Sequence, residues 1–293
     1  MKFTKMEGLG NDYVYVNCLE KQIDNPSSLA QLVSDRHFGV GSDGLILIRP
    51  SAQADFFMEM FNADGTRSEM CGNGIRCVGK YVYDHGLTDK REIRVNTLAG
   101  VKHLELHTDG GLVDTVTVDM GAPELEAVRI PVVAAESPVV RAPIVVAGRT
   151  YEMTCVSMGN PHAVVFVDDT ASFPVEQVGE PFEFHEAFPR RVNAEFVQVL
   201  NRAEVNMRVW ERGTGETLAC GTGACATTVA SVLCGLTDEE VTVHLLGGDL
   251  TVRWDRAVNK VYMTGPARTV FEGEMDVSSC ATDDPPHVID PSW

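Results

Sequence analysis

Basic residues are scarce in this 293-residue sequence: 24 Lys and Arg stand against 42 Asp and Glu, leaving a formal net charge of −18. An excess of that sign repels nucleic acid and anionic membrane surfaces, so neither is an expected partner. Long apolar runs are missing as well. The opening MKFTKMEGLGND holds no stretch that could serve as a signal peptide, and no segment reaches the roughly 18 apolar residues of a membrane span. A cytoplasmic location is therefore expected. The eight cysteines include no CxxC pair and no zinc-type Cys/His spacing, so thiols are expected rather than disulfides, and no structural metal. Nucleotide signatures are also lacking: there is no P-loop pattern, and neither glycine cluster has GxGxxG spacing after a strand with an acidic partner. No lysine motif argues for pyridoxal phosphate, so no cofactor is expected. What remains, 44% hydrophobic and 23% charged residues, is enough for a soluble protein with a real core and two domains of ordinary size.

The most informative pattern present is internal repetition. An offset of 149 residues carries Gly10-Asn11 onto Gly159-Asn160 and Met58 onto Met207. It carries Cys71-Gly72-x-Gly74 onto Cys220-Gly221-x-Gly223, and Gly86-Leu87-Thr88-Asp89 onto Gly235-Leu236-Thr237-Asp238. Several matches at one offset point to duplication of a module half the chain long. The expected divisions are an N-terminal half over 1–121, completed by 265–275, a C-terminal half over 122–264, and an acidic tail over 276–293. Between the halves, Pro123, Pro131, Pro138 and Pro143 predict an extended crossover rather than a helix.

Within each half, alternation predicts strands over Asp55–Phe61 and Glu204–Trp210, and β-rich runs occur at Val14–Val16, Leu45–Ile48 and Val113–Val118. After each repeated cysteine the period becomes helical. Ile75, Val78 and Val82 share one face, as do Ala224, Thr228 and Val232, and Gly86 and Gly235 are the expected terminators. Each half therefore reads as mainly β with one strong helix, and Cys71 and Cys220 stand at the helix starts.

A helix start presents unpaired N–H groups and the positive end of the backbone dipole, both of which favour a thiolate and can hold a carboxylate. Two such units face to face would pin one carboxylate between them, with a sulfur on each side of the adjacent α-carbon. A thiolate on one face then removes the α-proton and the opposite thiol returns one, inverting the centre. Cys18, Cys77, Cys155, Cys225, Cys234 and Cys280 read as packed thiols without chemistry.

The segments Asn62-Ala63-Asp64-Gly65 to Met70-Cys71-Gly72-Asn73-Gly74-Ile75-Arg76-Cys77, and Glu211-Arg212-Gly213-Thr214-Gly215-Glu216-Thr217 to Ala219-Cys220-Gly221-Thr222-Gly223-Ala224, resemble the signatures of the diaminopimelate epimerase family. Gly8-Leu9-Gly10-Asn11-Asp12 and Gly159-Asn160-Pro161-His162 match as well, and the resemblance runs to about Glu274. It implies an α+β fold of two pseudo-symmetric domains, each a β-barrel-like antiparallel or mixed sheet around a central helix. It implies epimerisation of LL-diaminopimelate to the meso isomer for lysine and cell-wall synthesis, in a homodimer. Carried onto this sequence, Cys71 and Cys220 are the acid–base pair, and Gly72, Asn73, Gly221 and Thr222 donate to the reacting carboxylate. Asn11, Asn62, Asn160, Asn193 and Arg212 hold the rest of the substrate, Glu211 serves an ammonium group, and His162 and Glu211 tune the cysteines. One departure stands out: Gly44, the repeat partner of Asn193, occupies a position where some relatives carry glutamine.

Two competing readings define the limits. One is a related racemase for another amino acid, such as a proline-type member. The other is a binding protein switched by a Cys71–Cys220 disulfide, which would not need a carboxylate cradle in both halves.

Overall fold

A computed structural model describes residues 1–277. The expected tail lies almost wholly outside the described residues, as does Cys280. The N-terminal half runs β1 (Lys2–Gly8), β2 (Asn11–Asn17), α1 (Pro26–Ser34), β3 (Gly44–Arg49), β4 (Phe56–Asn62), β5 (Arg67–Ser68), α2 (Gly72–Asp84), β6 (Glu92–Thr97), β7 (Gly100–Asp109) and β8 (Leu112–Gly121). After an additional strand, β9 (Ala142–Val146), the second half repeats that order as β10 (Arg149–Ser157), β11 (Pro161–Phe166), α3 (Val175–Glu183), β12 (Asn193–Asn201), β13 (Glu204–Glu211), β14 (Gly215–Glu216), α4 (Gly221–Leu233), β15 (Glu240–Leu245), β16 (Gly248–Asp255) and β17 (Lys260–Pro266). A last strand, β18 (Arg268–Glu274), follows. The proline-rich stretch between the halves forms no helix.

Strand pairing is duplicated as well as strand order. The antiparallel β1–β2 hairpin corresponds to β10–β11, and the parallel pairs β2–β3 and β4–β6 correspond to β11–β12 and β13–β15. The chain closes the repeat by exchange: β9 pairs with β10 in the second half, while β18 returns from the C-terminus to pair with β1 in the first. Antiparallel pairing of β8 with β17 then joins the two halves into one continuous sheet.

The parallel pairs explain two helices that alternation alone does not predict. Parallel neighbours cannot be linked by a hairpin, so β2 reaches β3 through α1 and β11 reaches β12 through α3. These crossovers bury the strands on both faces, which is why β3 carries the unbroken apolar run Leu45–Ile48. Ile46 and Ile48 face the main core with α2, whereas Leu45 and Leu47 pack with Leu29, Ala30 and Val33 of α1.

The two long helices occupy one shared core, with Ile75, Val78 and Val82 joined to Ala224, Cys225 and Val229. Their ends follow from sequence chemistry. Gly86 and Gly235 adopt φ of 68° and 71°, and each sits in a Schellman motif: Leu87 N–H donates to the Val82 carbonyl at 2.9 Å, and Leu236 N–H donates to that of Ser231 at 2.9 Å. Neither first turn holds an acidic residue, so both N-terminal dipoles remain available to an external anion. Among the described residues no helix is long and apolar enough to cross a membrane.

Candidate active site

Cys71 and Cys220 are the N-cap residues of α2 and α4, each in extended conformation before the first turn. The two helix starts meet. A Cβ placed on Gly72 would lie 4.0 Å from Gly221 Cα, and one on Gly221 would lie 3.9 Å from Asn73 Oδ1. Met263 of β17 fills the seam, its Cε 3.1 Å from the Gly72 Cβ position and its Sδ 3.1 Å from that of Gly221. The glycines thus have a packing reason beyond clearing space for a ligand: side chains at 72 and 221 would push the helices off Met263. At Gly74 the nearest obstacle is Ile46 Cδ1, at 2.8 Å, and at Gly223 it is Glu195 Oε1, at 2.8 Å.

Both cysteines are free thiols; Cys71 is partly exposed and Cys220 is buried. Cys71 Sγ donates to Asn11 Oδ1 at 3.1 Å and accepts from Gly74 N–H at 3.4 Å. Asn11 is itself fixed, donating through Nδ2 to Asp43 at 2.7 Å. Burial raises the Cys71 thiol above its ordinary value, opposed by the Gly74 and Asn73 N–H groups and by the Arg76 guanidinium. Cys220 Sγ meets Thr222 Oγ1 at 3.6 Å. Burial pushes its thiol well above 9.0, and the Glu211 and Glu195 carboxylates push it further. The Glu211 carboxylate pushes both thiols up.

Most of the other expected residues gather around this seam. Glu211, at the end of β13, accepts from Thr217 Oγ1 at 2.5 Å. His162 is fully buried, bridging Glu195 Oε1 at 2.7 Å through Nδ1 and Asn160 Oδ1 at 3.0 Å through Nε2. Asn73 is buried and its Oδ1 has no hydrogen-bond partner among the described residues. Asn193 spends its amide on backbone, donating to the Pro161 carbonyl at 3.3 Å and accepting from Arg212 N–H at 2.8 Å, so it orients the loop that carries Arg212. The exposed Arg212 donates to the Arg190 carbonyl at 3.0 Å, and Asn62 donates to Thr66 at 3.0 Å. Gly44 has no room for a side chain: its Cβ would fall 2.1 Å from the Phe61 carbonyl oxygen and 2.9 Å from Tyr13 Cε1. The remaining cysteines pack as their apolar surroundings require. Cys18, Cys77, Cys155 and Cys225 are buried, and Cys234 is partly buried against Thr154.

Four residues near the thiols receive no role from motif reading: Tyr13, Arg76, Glu195 and Met263. The repeat offset carries a signal for three of them, because it maps Tyr13 onto His162, Ile46 onto Glu195 and Arg76 onto Cys225. Each pair sets an ionisable group against a different one or against an aliphatic side chain, which is where two copies of one module have parted. Elsewhere, a concavity of about 630 Å³ on the outer sheet face includes Asp55, Lys90, Asp119 and Lys260. Its lysines are already paired, Lys90 with Asp55 and Lys260 with Asp119, both at 2.6 Å, and neither cysteine lines it, so it offers no comparable chemistry.

A sequence profile of the diaminopimelate epimerase family matches residues 3–126 and 154–270. The chain is 58% identical over 278 residues to a diaminopimelate epimerase of Acetivibrio thermocellus, covering 95% of this chain and 99% of that protein. It is 57% identical over 277 residues to one from Methanococcus maripaludis, covering 94% and 100%. Among solved structures, a Bacillus anthracis phenazine biosynthesis protein of the PhzF family aligns with a TM-score of 0.69 at 16% identity, over 94% of this chain and 99% of that one. A hydroxyproline epimerase from Agrobacterium vitis aligns with a TM-score of 0.64 at 14% identity, over 94% and 90%. At such identities these two structures speak for the two-domain fold alone.

Proposed function

The chain belongs to the diaminopimelate epimerase family, and on that premise we propose that it interconverts LL- and meso-2,6-diaminopimelate by proton exchange between Cys71 and Cys220, serving lysine and peptidoglycan precursor synthesis. The observation that carries the mechanism is the meeting of two thiol-capped helix starts, with Gly72 and Gly221 at the contact. The reacting carboxylate sits at this seam on N–H groups from Gly72, Asn73, Gly221 and Thr222. The thiolate on one side takes the α-proton and becomes a thiol. The electron pair left behind spreads into the carboxylate, where two helix dipoles stabilise it. The opposite thiol then delivers its proton to the other face and becomes the thiolate, so the protonation pattern of the pair is exchanged at each turnover.

The distal end of the substrate is itself an amino acid. Arg212 suits its carboxylate through a forked, bidentate contact. Asn11, Asn62 and Asn160 supply amide groups, Asn193 acts through the Arg212 loop, and Glu211 balances an ammonium group while its field reaches both thiols. His162, held between Glu195 and Asn160, fixes the surroundings of Cys220. No cofactor takes part in this scheme. The working form is a cytoplasmic homodimer, testable by light scattering of the purified protein.

The deciding experiment incubates reduced protein with LL- or meso-diaminopimelate in D2O and follows the α-proton by NMR. Exchange accompanied by inversion is expected. Absence of exchange with both isomers, or faster turnover of another amino acid in the same assay, would overturn the assignment.

A further inference from the structure

Asn11 and Asn160 hold the same place in the two copies of the module, yet their side chains are anchored by opposite ends. Asn11 donates through Nδ2 to Asp43 Oδ2 at 2.7 Å. Asp43 is an acceptor throughout, taking the Asp12 N–H at 3.1 Å and Arg36 Nη2 at 3.0 Å as well, so the anchor fixes which way the amide points. The oxygen of Asn11 is the end that meets Cys71 Sγ, at 3.1 Å. At Asn160 the order is reversed. Its Oδ1 accepts from His162 Nε2 at 3.0 Å, and among the described residues nothing accepts from its Nδ2. This side chain lies half-buried in the turn between β10 and β11. The repeat offset accounts for the reversal, because it carries Asp43 onto Val192, which leaves the second amide without a carboxylate, and Tyr13 onto His162.

His162 is braced from behind. Its ring is fully buried, with Nδ1 2.7 Å from Oε1 of Glu195, a carboxyl that is itself fully buried and whose Oε2 has no hydrogen-bond partner among the described residues. The other copy has Ile46 at that place, and an ionisable group there is costly unless paired. Gly223 leaves the room for it, since a Cβ there would stand 2.8 Å from Oε1. Asn193 Nδ2, at 3.5 Å from Nδ1, is too distant to take the place of Glu195. With an acceptor at each ring nitrogen, His162 and Glu195 together hold one proton more than a neutral imidazole and a carboxylate would. Whether that proton rests on the ring or on the carboxyl, Nε2 keeps its hydrogen, and the oxygen of Asn160 is what receives it.

Asn193 also ties two loops together, donating to the Pro161 carbonyl at 3.3 Å and accepting from Arg212 N–H at 2.8 Å. The turn that bears Asn160 is thereby joined to the loop that bears Arg212, and both side chains offer donors. Resting on the diaminopimelate reading above and deepening it, we propose that His162, braced by Glu195, is a positioning residue that turns the N–H pole of Asn160 outward, so that Asn160 and Arg212 together take the distal carboxylate and not the distal ammonium. In the first half Asp43 turns Asn11 the other way and leaves that amide an acceptor. Two copies of one asparagine thus present unlike poles to a substrate whose distal end carries unlike charges.

The ring is read first, without substrate. In full-length protein labelled with 15N-histidine, long-range 1H–15N correlation at neutral pH is expected to show hydrogen on Nε2 of His162. An Nε2 without hydrogen overturns the proposal, because Asn160 would then have to present its oxygen. Steady-state kinetics with diaminopimelate read the pole itself. Asn160→Ala should raise KM about tenfold. Asn160→Asp keeps an oxygen toward His162 but sets a charge against the substrate carboxylate, and should raise KM at least about tenfold further. An aspartate variant that binds no worse than the alanine one would mean that the amide faces an ammonium, which is equally fatal. His162→Phe should raise KM about as far as Asn160→Ala, with the loss falling mainly on KM, and combining the two should cost nothing more, since both remove one contact. A fall in kcat with KM unmoved, or additive losses in KM, would sever His162 from Asn160 and sink the idea. Should His162→Phe fail to fold, the ring measurement and the two Asn160 variants decide. Failure of the diaminopimelate assignment would appear in the D2O assay and would leave the ring measurement untouched.

Discussion

Around Cys71 the Arg76 guanidinium eases ionisation of the thiol while the Glu211 carboxylate opposes it; around Cys220 the carboxylates of Glu211 and Glu195 both oppose it. The backbone at the two places is the same: an extended N-cap cysteine, a glycine facing Met263, and a thirteen-residue helix closed by Gly-Leu-Thr-Asp. Duplication thus supplied two like helix starts, and a few substitutions gave them unequal electrostatic surroundings. The proposed two-base scheme uses both sulfurs, with one of them protonated at the start of each turnover.

The largest expected effect treats the halves as equal. Cys71→Ala and Cys220→Ala should each lower inversion by at least about 10³-fold, with circular dichroism and thermal unfolding unchanged, since each removes an acid–base group from the transition state. Near-normal turnover in either variant breaks the two-base scheme. The glycines sharpen the contrast between halves. Gly223→Ala drives a methyl against Glu195 Oε1, which His162 holds, whereas Gly74→Ala meets the movable end of Ile46. We expect Gly223→Ala to lose roughly 1–3 kcal/mol in urea unfolding and Gly74→Ala clearly less. Equal losses would mean that the Glu195–His162 pair is not rigid.

A smaller effect concerns charge. The Glu195 carboxylate raises the Cys220 thiol, so Glu195→Gln should lower the pH midpoint of Cys220 alkylation and leave that of Cys71 in place. Movement of both midpoints would show a general change of structure. Arg212→Lys should raise KM for diaminopimelate about tenfold with little change in kcat, because the fork is lost while the charge remains.

A last effect is confined to alkaline pH and is shared by both halves. Burial pushes the thiols of Cys77 up to about 11 and of Cys155 and Cys225 up to about 12, against 9.0 for an open thiol. The folded protein keeps these protons while an unfolded chain releases them above pH 9.0. Stability is therefore unaffected below that pH and falls as pH climbs toward 11 to 12, by up to about 1.4 kcal/mol per pH unit for each thiol. Cys225→Ala should flatten this alkaline decline in urea titrations; an unchanged slope would show that other groups dominate it.

Much of this was legible in the sequence. The 149-residue offset exposed the duplication, and the turn from alternation to helical period marked Cys71 and Cys220 as helix starts. Gly86 and Gly235 gave the helix ends because the left-handed residue of a Schellman motif favours glycine locally. Helix α3, which has no side-chain cap, was not legible, since it follows from parallel pairing of strands whose order in the sheet no local pattern states, whereas α1 begins with a local signal, Asn25 as cap before Pro26. The roles of Gly72 and Gly221 changed for a related reason. Sequence suggested glycines cleared for a ligand, whereas the folded chain also presses them against Met263, almost two hundred residues from Gly72.

By itself, then, the sequence determined the module, its doubling and the thiol at each helix start, because those depend on near neighbours: caps, periodicity and repeat spacing. The tertiary structure alone decided what meets across the seam. The return of β18 to β1, the β8–β17 junction, and the burial of Arg76 between Gly8 and Gly265 bring distant residues together. Electrostatic asymmetry between two like cysteines is a property of that assembled interior, where low polarity lets nearby charge be felt at a sulfur.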